Sequence, residues 1–162
     1  MKRLPSRIAA AGAFIGMAML AGCGGGGPAE VEDTPEGEAF VFRDAVMHAV
    51  AYKMTPIGGM ARGEIPVDDA VFRKAASDVA TLSGMLLEGF MPQGIPAGSR
   101  ATPDIWMNWT DFEQRAKAFQ DAAQAVAEAA ESGGVEAARD LVRPLLDTCG
   151  GCHRTYRAPE EG

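Results

Sequence analysis

Two cysteines and a histidine near the carboxyl end form the grouping with the most evident chemistry. The segment reads Cys149-Gly150-Gly151-Cys152-His153. In a C-x-x-C-H segment each thiol can form a thioether with one vinyl group of a haem, and the three-residue step matches the vinyl separation. His153 lies one helical turn after Cys149, so its imidazole can reach the iron as an axial ligand. The spacing predicts one covalently bound haem c, attached through Cys149 and Cys152.

Three other uses of the two cysteines are weaker. A redox-active C-x-x-C pair normally lies at the start of a helix in a βαβ unit, whereas this pair ends a helical stretch. A zinc site needs about four ligands, and the only other Cys and His residues are Cys23 and His48. A disulfide between residues three apart on a helix would constrain little.

The amino-terminal residues predict an export signal. Lys2, Arg3 and Arg7 precede an uncharged, mainly apolar run over residues 8–22. A membrane-spanning helix needs about 20 apolar residues. Because this run is shorter and a Gly-rich segment follows it, residues 1–22 are predicted to be a secretory signal peptide.

The end of this signal resembles the lipobox of bacterial lipoproteins, in Leu20-Ala21-Gly22-Cys23. The resemblance implies that Cys23 becomes the lipidated amino terminus, with the acyl chains holding the protein on a membrane. The residue after Cys23 is Gly24, whereas an Asp at this position would favour retention in the inner membrane. A residue other than Asp resembles the pattern of lipoproteins that are sorted to the outer membrane. The expected location is the periplasm, anchored in the outer rather than the inner membrane. The alternative is an ordinary signal peptide with an incidental Cys23.

Composition limits the remaining possibilities. With 162 residues the chain has room for one domain. Its 22 acidic and 15 basic residues give a net charge of -7, which excludes nucleic-acid binding because phosphate would be repelled. No acids, bases or nucleophiles stand at catalytic spacing, so no enzyme is expected. Residues 23–37 are rich in Gly, Pro and acidic residues and are predicted to be a flexible tether.

The remainder of the chain reads as helices. Apolar residues recur at three- and four-residue steps, and no stretch shows sustained alternation. Four amphipathic segments with short connections favour an all-α, antiparallel four-helix bundle. The predicted domain is 38–158, with 159–162 as a tail, and its helices are expected at about 38–58, 68–91, 102–132 and 135–157.

Prolines and glycines predict where these helices bend or end. Pro56 is expected to kink or end the first helix, and Pro144 to kink the fourth. Thr102 is expected to cap the start of the third helix, ahead of a proline in its first turn. Gly133-Gly134 is expected to end the third helix.

Taken together, these residues resemble the class II cytochromes c, the family of cytochrome c-prime and its low-spin, Met-ligated relatives. The resemblance covers residues 38–158. It implies a four-helix bundle with covalent haem c near the carboxyl end of the fourth helix. Besides the C-x-x-C-H motif, the resemblance rests on Tyr156-Arg157, Pro103-Asp104-Ile105-Trp106, Phe42-Arg43 through Met47, and residues 60–66.

The resemblance also implies roles for three further residues. Met47 matches the side chain that covers the distal face of the haem, and would be either a sixth iron ligand or a steric lid. Arg43 matches a basic residue near the haem propionates, and Arg157 one that flanks the axial imidazole. Without the resemblance, a Met on the inner stripe of a helix is typical core filling. Met54, two turns further along, is a less favoured ligand.

Three other side chains have expected positions. His48 points about 100° away from Met47 around the helix and is expected at the surface. Trp106 and Trp109 cannot both face inward well. One is expected in the core or against the haem, and the other at the boundary.

Two functions follow from the resemblance. In the first, a membrane-tethered monohaem cytochrome transfers single electrons to and from redox partner proteins in the periplasm. In the second, the same scaffold holds a five-coordinate haem that binds NO or CO. The third reading is a haem-free structural lipoprotein in which the C-x-x-C is incidental. The family resemblance also allows a homodimer through the first two helices.

Overall fold

The computed structural model describes residues 33–159. The predicted signal peptide, Cys23 and most of the predicted tether lie outside the described residues. Within them, the only β structure is an isolated antiparallel bridge between Ala101 and Arg157. The helical elements are α1 (Pro35–Arg62), α2 (Asp69–Ser83), a 3-10 turn (Leu86–Phe90), α3 (Asp104–Met107) and α4 (Trp109–Tyr156).

Helix α4 consists of two helices joined at a sharp break. Gly133 and Gly134 have non-helical backbones, and Gly134 adopts φ 65° and ψ −149°. They separate an N-terminal arm, residues 109–132, from a C-terminal arm, residues 135–156. Together with α1 and α2, the two arms form the predicted four-helix bundle. The expectation that Gly133-Gly134 ends the third helix is confirmed.

The start of the C-terminal arm is capped by a residue of another helix. The Asp69 carboxylate, in the first turn of α2, accepts a hydrogen bond from the backbone N–H of Val135 at 2.8 Å. A carboxylate there satisfies an unpaired amide and favours the positive end of the helix dipole. The break is therefore held against α2.

Helix α1 is longer than predicted at both ends. Thr34 caps it by accepting from the Gly37 N–H at 3.1 Å, and Pro35 occupies its first turn. Three residues assigned to the tether are therefore helical. The helix ends at Gly63, whose φ of 73° gives the left-handed cap that favours glycine.

The two internal prolines do not end their helices. Helix α1 continues through Pro56 to Arg62, and the backbone around Pro144 stays helical. Each proline removes one N–H donor from the helix. The next residue in each case, Ile57 or Leu145, is fully buried, and this packing retains the turn. The expected end at Pro56 is wrong.

The second and third helices also differ from prediction. Helix α2 stops at Ser83, and a 3-10 turn replaces the rest of the predicted helix. Thr102 does not act as a cap, because its hydroxyl is buried with no hydrogen-bond partner within residues 33–159. The third helix instead begins as the short α3, and α4 starts after a non-helical Asn108.

The core lies along the bundle axis, where α2 packs against both α1 and α4. Buried alanines allow the helices to approach closely, and larger side chains fill the space between them. Within residues 33–159 no helix has the length and apolarity needed to cross a bilayer. The largest fully buried side chains are Phe72, Ile57, Ile105, Leu145, Val79, Val126 and Val135.

Substituting Gly134→Ala should destabilise the fold. A Cβ atom there would collide with the Asp69 carboxylate, and the backbone conformation is one that L side chains rarely adopt. We expect the free energy of unfolding to fall by roughly 1–3 kcal/mol, measured by urea denaturation. Gly84→Ala is the matched control, because its backbone is right-handed helical and its Cβ would make ordinary contacts. Equal effects from the two substitutions would contradict this account.

Candidate haem-binding site

A mainly apolar cavity of about 430 Å³ opens among the helices. Its walls come from α1, both arms of α4, the 3-10 turn and the loop at residues 98–101. The structure brings together every site residue predicted from the sequence within residues 33–159. Those that line the cavity are Arg43, Met47, Cys149, Cys152, His153 and Arg157.

The two cysteines lie on the last turns of the C-terminal arm and are not joined in a disulfide. Burial raises the pKa of the Cys149 thiol. Burial also raises the pKa of Cys152, with the positive charge of Arg115 acting in the opposite direction. Both side chains are therefore protonated at neutral pH. In this form each cysteine could hold a haem through a thioether, since addition of S–H across a vinyl group would place sulfur on one carbon and hydrogen on the other and would consume no oxidant.

The imidazole of His153 is kept in its neutral form. The residue is exposed at the surface, but the atoms around it still desolvate the ring. This desolvation, followed by the charges of Arg157 and Arg100, lowers the pKa of His153. A neutral imidazole has the free lone pair that metal coordination needs. The donor set of two thiols and one neutral imidazole on one cavity wall therefore fits covalent haem.

Arg43 is a buried cation on the α1 side of the cavity, only 5% exposed. Its guanidinium donates to the Gly89 carbonyl at 3.1 Å and to the Ser99 hydroxyl at 2.9 Å. Within residues 33–159 no carboxylate is in ion-pairing range, and Asp44 acts only through longer-range attraction. Desolvation accordingly lowers the pKa of Arg43. A haem propionate would supply the opposite charge that a buried guanidinium favours.

Two methionines of α1 reach the same cavity. Met47 is half-buried and Met54 is 9% exposed, and both line the cavity together with Val50. The structure therefore places a thioether from α1 and the C-x-x-C-H motif on one shared space. His48 is exposed, as expected, with its ring nitrogen 3.0 Å from the Asp44 carbonyl oxygen.

The prediction of one tryptophan in the core or against the haem and the other at the boundary is wrong. Both are half-buried against the core, and neither lines the cavity. The indole N–H of Trp106 donates to the Phe90 carbonyl at 2.9 Å, which holds α3 against the 3-10 turn. The Trp109 ring lies 5.6 Å from that of Phe112. The two residues lie on either side of α3's end, where the non-helical Asn108 separates α3 from α4.

One feature near His153 was not predicted from the sequence, namely the pairing of residues 100–102 with residues 156–158. The Arg100 guanidinium donates to the Ala158 carbonyl at 3.0 and 2.8 Å. The backbone adds hydrogen bonds from Ala158 N–H to Arg100 and from Thr102 N–H to Tyr156. This pairing brings Arg100 to the cavity and near His153. A loop arginine has no periodic pattern that would have identified it.

A four-helix bundle whose cavity joins a C-x-x-C-H motif to a buried cation is the architecture of a bundle-type c cytochrome. The family described as Cytochrome C' matches residues 38–157. This chain belongs to that family, and its cofactor is haem c, covalently attached in cytochromes of this family.

Individual relatives agree with this assignment. A curated relative, cytochrome c-554 from Cereibacter sphaeroides, is 33% identical over 80% of this chain and 88% of its own. The structure of cytochrome c prime from Shewanella frigidimarina matches with a TM-score of 0.74 at 32% identity, covering 79% of this chain and all of that one. A nitric oxide complex of a cytochrome c prime variant from Alcaligenes xylosoxidans matches at 0.71 and 26% identity, covering 79% of this chain and all of that one. Proteins similar to this one therefore include both c-554 and c-prime types.

Replacing the cysteines should remove the thioethers one at a time. Cys149→Ala and Cys152→Ala should each leave haem attached by a single bond, and the double variant should release all of its haem on denaturation. Intact-protein mass spectrometry after acid denaturation measures the retained haem. Thr148→Ala is the control, because it also lines the cavity but carries no thiol. Full retention in the double variant would show that the haem is bound elsewhere.

Proposed function

We propose that this protein is an exported, membrane-tethered monohaem c-type cytochrome that transfers single electrons in the periplasm. In this proposal Cys149 and Cys152 carry the thioethers and His153 is an axial ligand. The observation that carries it is the shared cavity, on which the C-x-x-C-H motif and the Met47 thioether of α1 both lie. A haem ligated from both sides has no open position, which suits electron transfer rather than chemistry on a substrate.

In this proposal each of the named side chains contributes differently to haem binding. The cysteines fix its position, and His153 offers a neutral ring nitrogen. Arg43 places a buried positive charge where a propionate would lie, and Arg157 stands one turn beyond His153. The mainly apolar lining would surround the porphyrin. When bound, the haem supplies the one-electron couple between ferric and ferrous iron.

The Met47 side chain is suited to the sixth position. A thioether is a soft ligand, and Met ligation raises the reduction potential of a c-type haem. Met is unbranched and flexible, and half-burial on α1 leaves its chain free to extend into the cavity.

The second candidate function is binding of NO or CO to a five-coordinate haem. Two observations support it. Met47 lies half-buried on the cavity, from where it would cover the distal face of a haem without a bond to iron. A similar solved structure is a nitric oxide complex of a cytochrome c prime variant.

Reduced and oxidised absorption spectra of the purified holoprotein separate these functions. A low-spin α-band with a Met-to-iron charge-transfer feature supports electron transfer. High-spin bands that shift on addition of NO or CO support gas binding. A protein without a Soret band would refute both functions and leave a haem-free lipoprotein.

Met47→Ala should convert the iron from low spin to high spin, because alanine offers no ligand atom. The ferrous absorption spectrum measures the change. Met54→Ala is the matched control, since Met54 lies on the same helix and the same cavity and should leave the spin state unchanged. An unaltered spectrum in the Met47 variant would show that Met47 is a lid or a packing residue.

For location, we propose that acyl chains on Cys23 hold the domain at the outer membrane. Cys23 follows a signal-like segment and precedes a Gly-, Pro- and acid-rich stretch that ends where α1 begins. About ten such residues have an r.m.s. reach on the order of 20 Å. In this proposal the tether holds the domain near the bilayer rather than docking it there.

Cys23→Ser should release the protein into the soluble periplasmic fraction, because no acyl chain could be attached. Gly24→Asp is the matched variant; it should remain membrane-bound but move to the inner membrane. Fractionation of cells followed by haem staining measures both. Membrane association that survives Cys23→Ser would refute the lipid anchor.

A further inference from the structure

A network of charged and polar side chains supports the cysteine motif from outside its own helix. Arg115, on the N-terminal arm of α4, donates through Nε to Asp111 Oδ2 at 2.6 Å. Tyr156, on the C-terminal arm, donates to the same oxygen at 2.6 Å. The other end of Arg115 donates through Nη1 to the Gly151 carbonyl at 3.1 Å. The network therefore connects the two arms at the motif.

The protonation states of this network are fixed. Desolvation and the hydrogen bond to Asp111 raise the pKa of Tyr156 to about 12, so its hydroxyl remains a donor. Hydrogen bonds from Arg115 and Tyr156 lower the pKa of Asp111, so its carboxylate remains charged. One carboxylate oxygen thus receives two strong hydrogen bonds, which set the orientation of the Arg115 guanidinium.

The residue that Arg115 contacts lies between the two thiols. Gly150 and Gly151 separate Cys149 from Cys152, and glycine is a poor helix former because its backbone has the most freedom to lose. This turn therefore needs support from neighbouring groups. Arg115 provides a hydrogen bond across 36 residues of sequence, and its side chain lines the same cavity as Cys149 and Cys152.

We propose that Arg115, oriented by Asp111 and Tyr156, is a positioning residue for the haem-attachment turn. Its hydrogen bond to Gly151 holds the backbone that spaces Cys149 and Cys152. Its positive charge, fixed beside the cavity, disfavours the more positive ferric state and so raises the reduction potential. The proposal rests on the covalent haem and holds whether the protein transfers electrons or binds a gas.

Three variants of the full-length holoprotein separate the charge from the hydrogen bonds. Arg115→Gln should shift the midpoint potential negative, and Asp111→Asn should shift it positive, because they remove opposite charges. Arg115→Lys should keep the potential near that of the wild type. A Lys ammonium cannot span Asp111 and Gly151 as the planar guanidinium does, so Arg115→Lys and Arg115→Gln should both lower the fraction of chains with two thioethers. Spectroelectrochemical titration and intact-protein mass spectrometry give these readouts.

Lys117→Gln is the matched control. Lys117 pairs with Asp121 on the same arm, at the same spacing, at 2.8 Å, and neither residue lines the cavity. Shifts of the same sign in Arg115→Gln and Asp111→Asn, or effects no larger than those of Lys117→Gln, would overturn the positioning role while the proposed function stands. A colourless wild-type protein would overturn both.

Discussion

The architecture depends on the chain reversal at Gly134 and on the carboxylate that holds it. The Asp69 side chain, the first residue of α2, accepts the Val135 N–H immediately after the reversal. This hydrogen bond holds the start of the C-terminal arm against α2. The N-terminal arm ends at the adjoining break, Gly133-Gly134. The junction orients the C-terminal arm, whose far end carries both cysteines and His153 and is held there by contacts of Arg115 and Arg100. A side chain larger than glycine would displace the carboxylate.

Features with a local or periodic origin could be predicted from the sequence. The helical period predicted the bundle, and the paired glycines predicted the break in α4. The C-x-x-C-H spacing predicted a cluster of side chains that the structure places on one cavity. Features decided by tertiary contacts could not. Helix α1 continues through Pro56, and the next residue, Ile57, is fully buried. Thr102 is not a cap, because the cap position of α3 falls on Pro103. Local propensity competes with packing at such positions, and packing decides.

The candidate site shows the same division. Helical spacing put Arg43 and Met47 on one face of α1, and the family resemblance implied their roles beside a haem. Arg100 instead reaches the cavity through a loop that pairs with residues after the C-terminal arm. Asp111 and Arg115 carry a readable signal, an acid and a base four residues apart on a helix, but the Gly151 carbonyl that gives the pair its role lies 36 residues away. Overall charge was equally uninformative about the site. The chain is acidic, yet the cavity is lined by arginines from α1, the loop, the N-terminal arm and the position just after the C-terminal arm.

The side chain of Arg43 is already ordered by the protein itself. The Gly89 carbonyl and the Ser99 hydroxyl each accept a hydrogen bond from its guanidinium. The guanidinium carbon lies 5.3 Å from the ring centroid of Phe40 and 5.2 Å from that of Phe90. An arginine that is free to rotate loses considerable side-chain entropy when it binds a partner. Here that loss accompanies folding, so a carboxylate that bound at Arg43 would meet a donor that is already ordered. If Arg43 pairs with a propionate as proposed, the readiness of this end of α1 for an anion is encoded in the bare polypeptide, before any cofactor is attached.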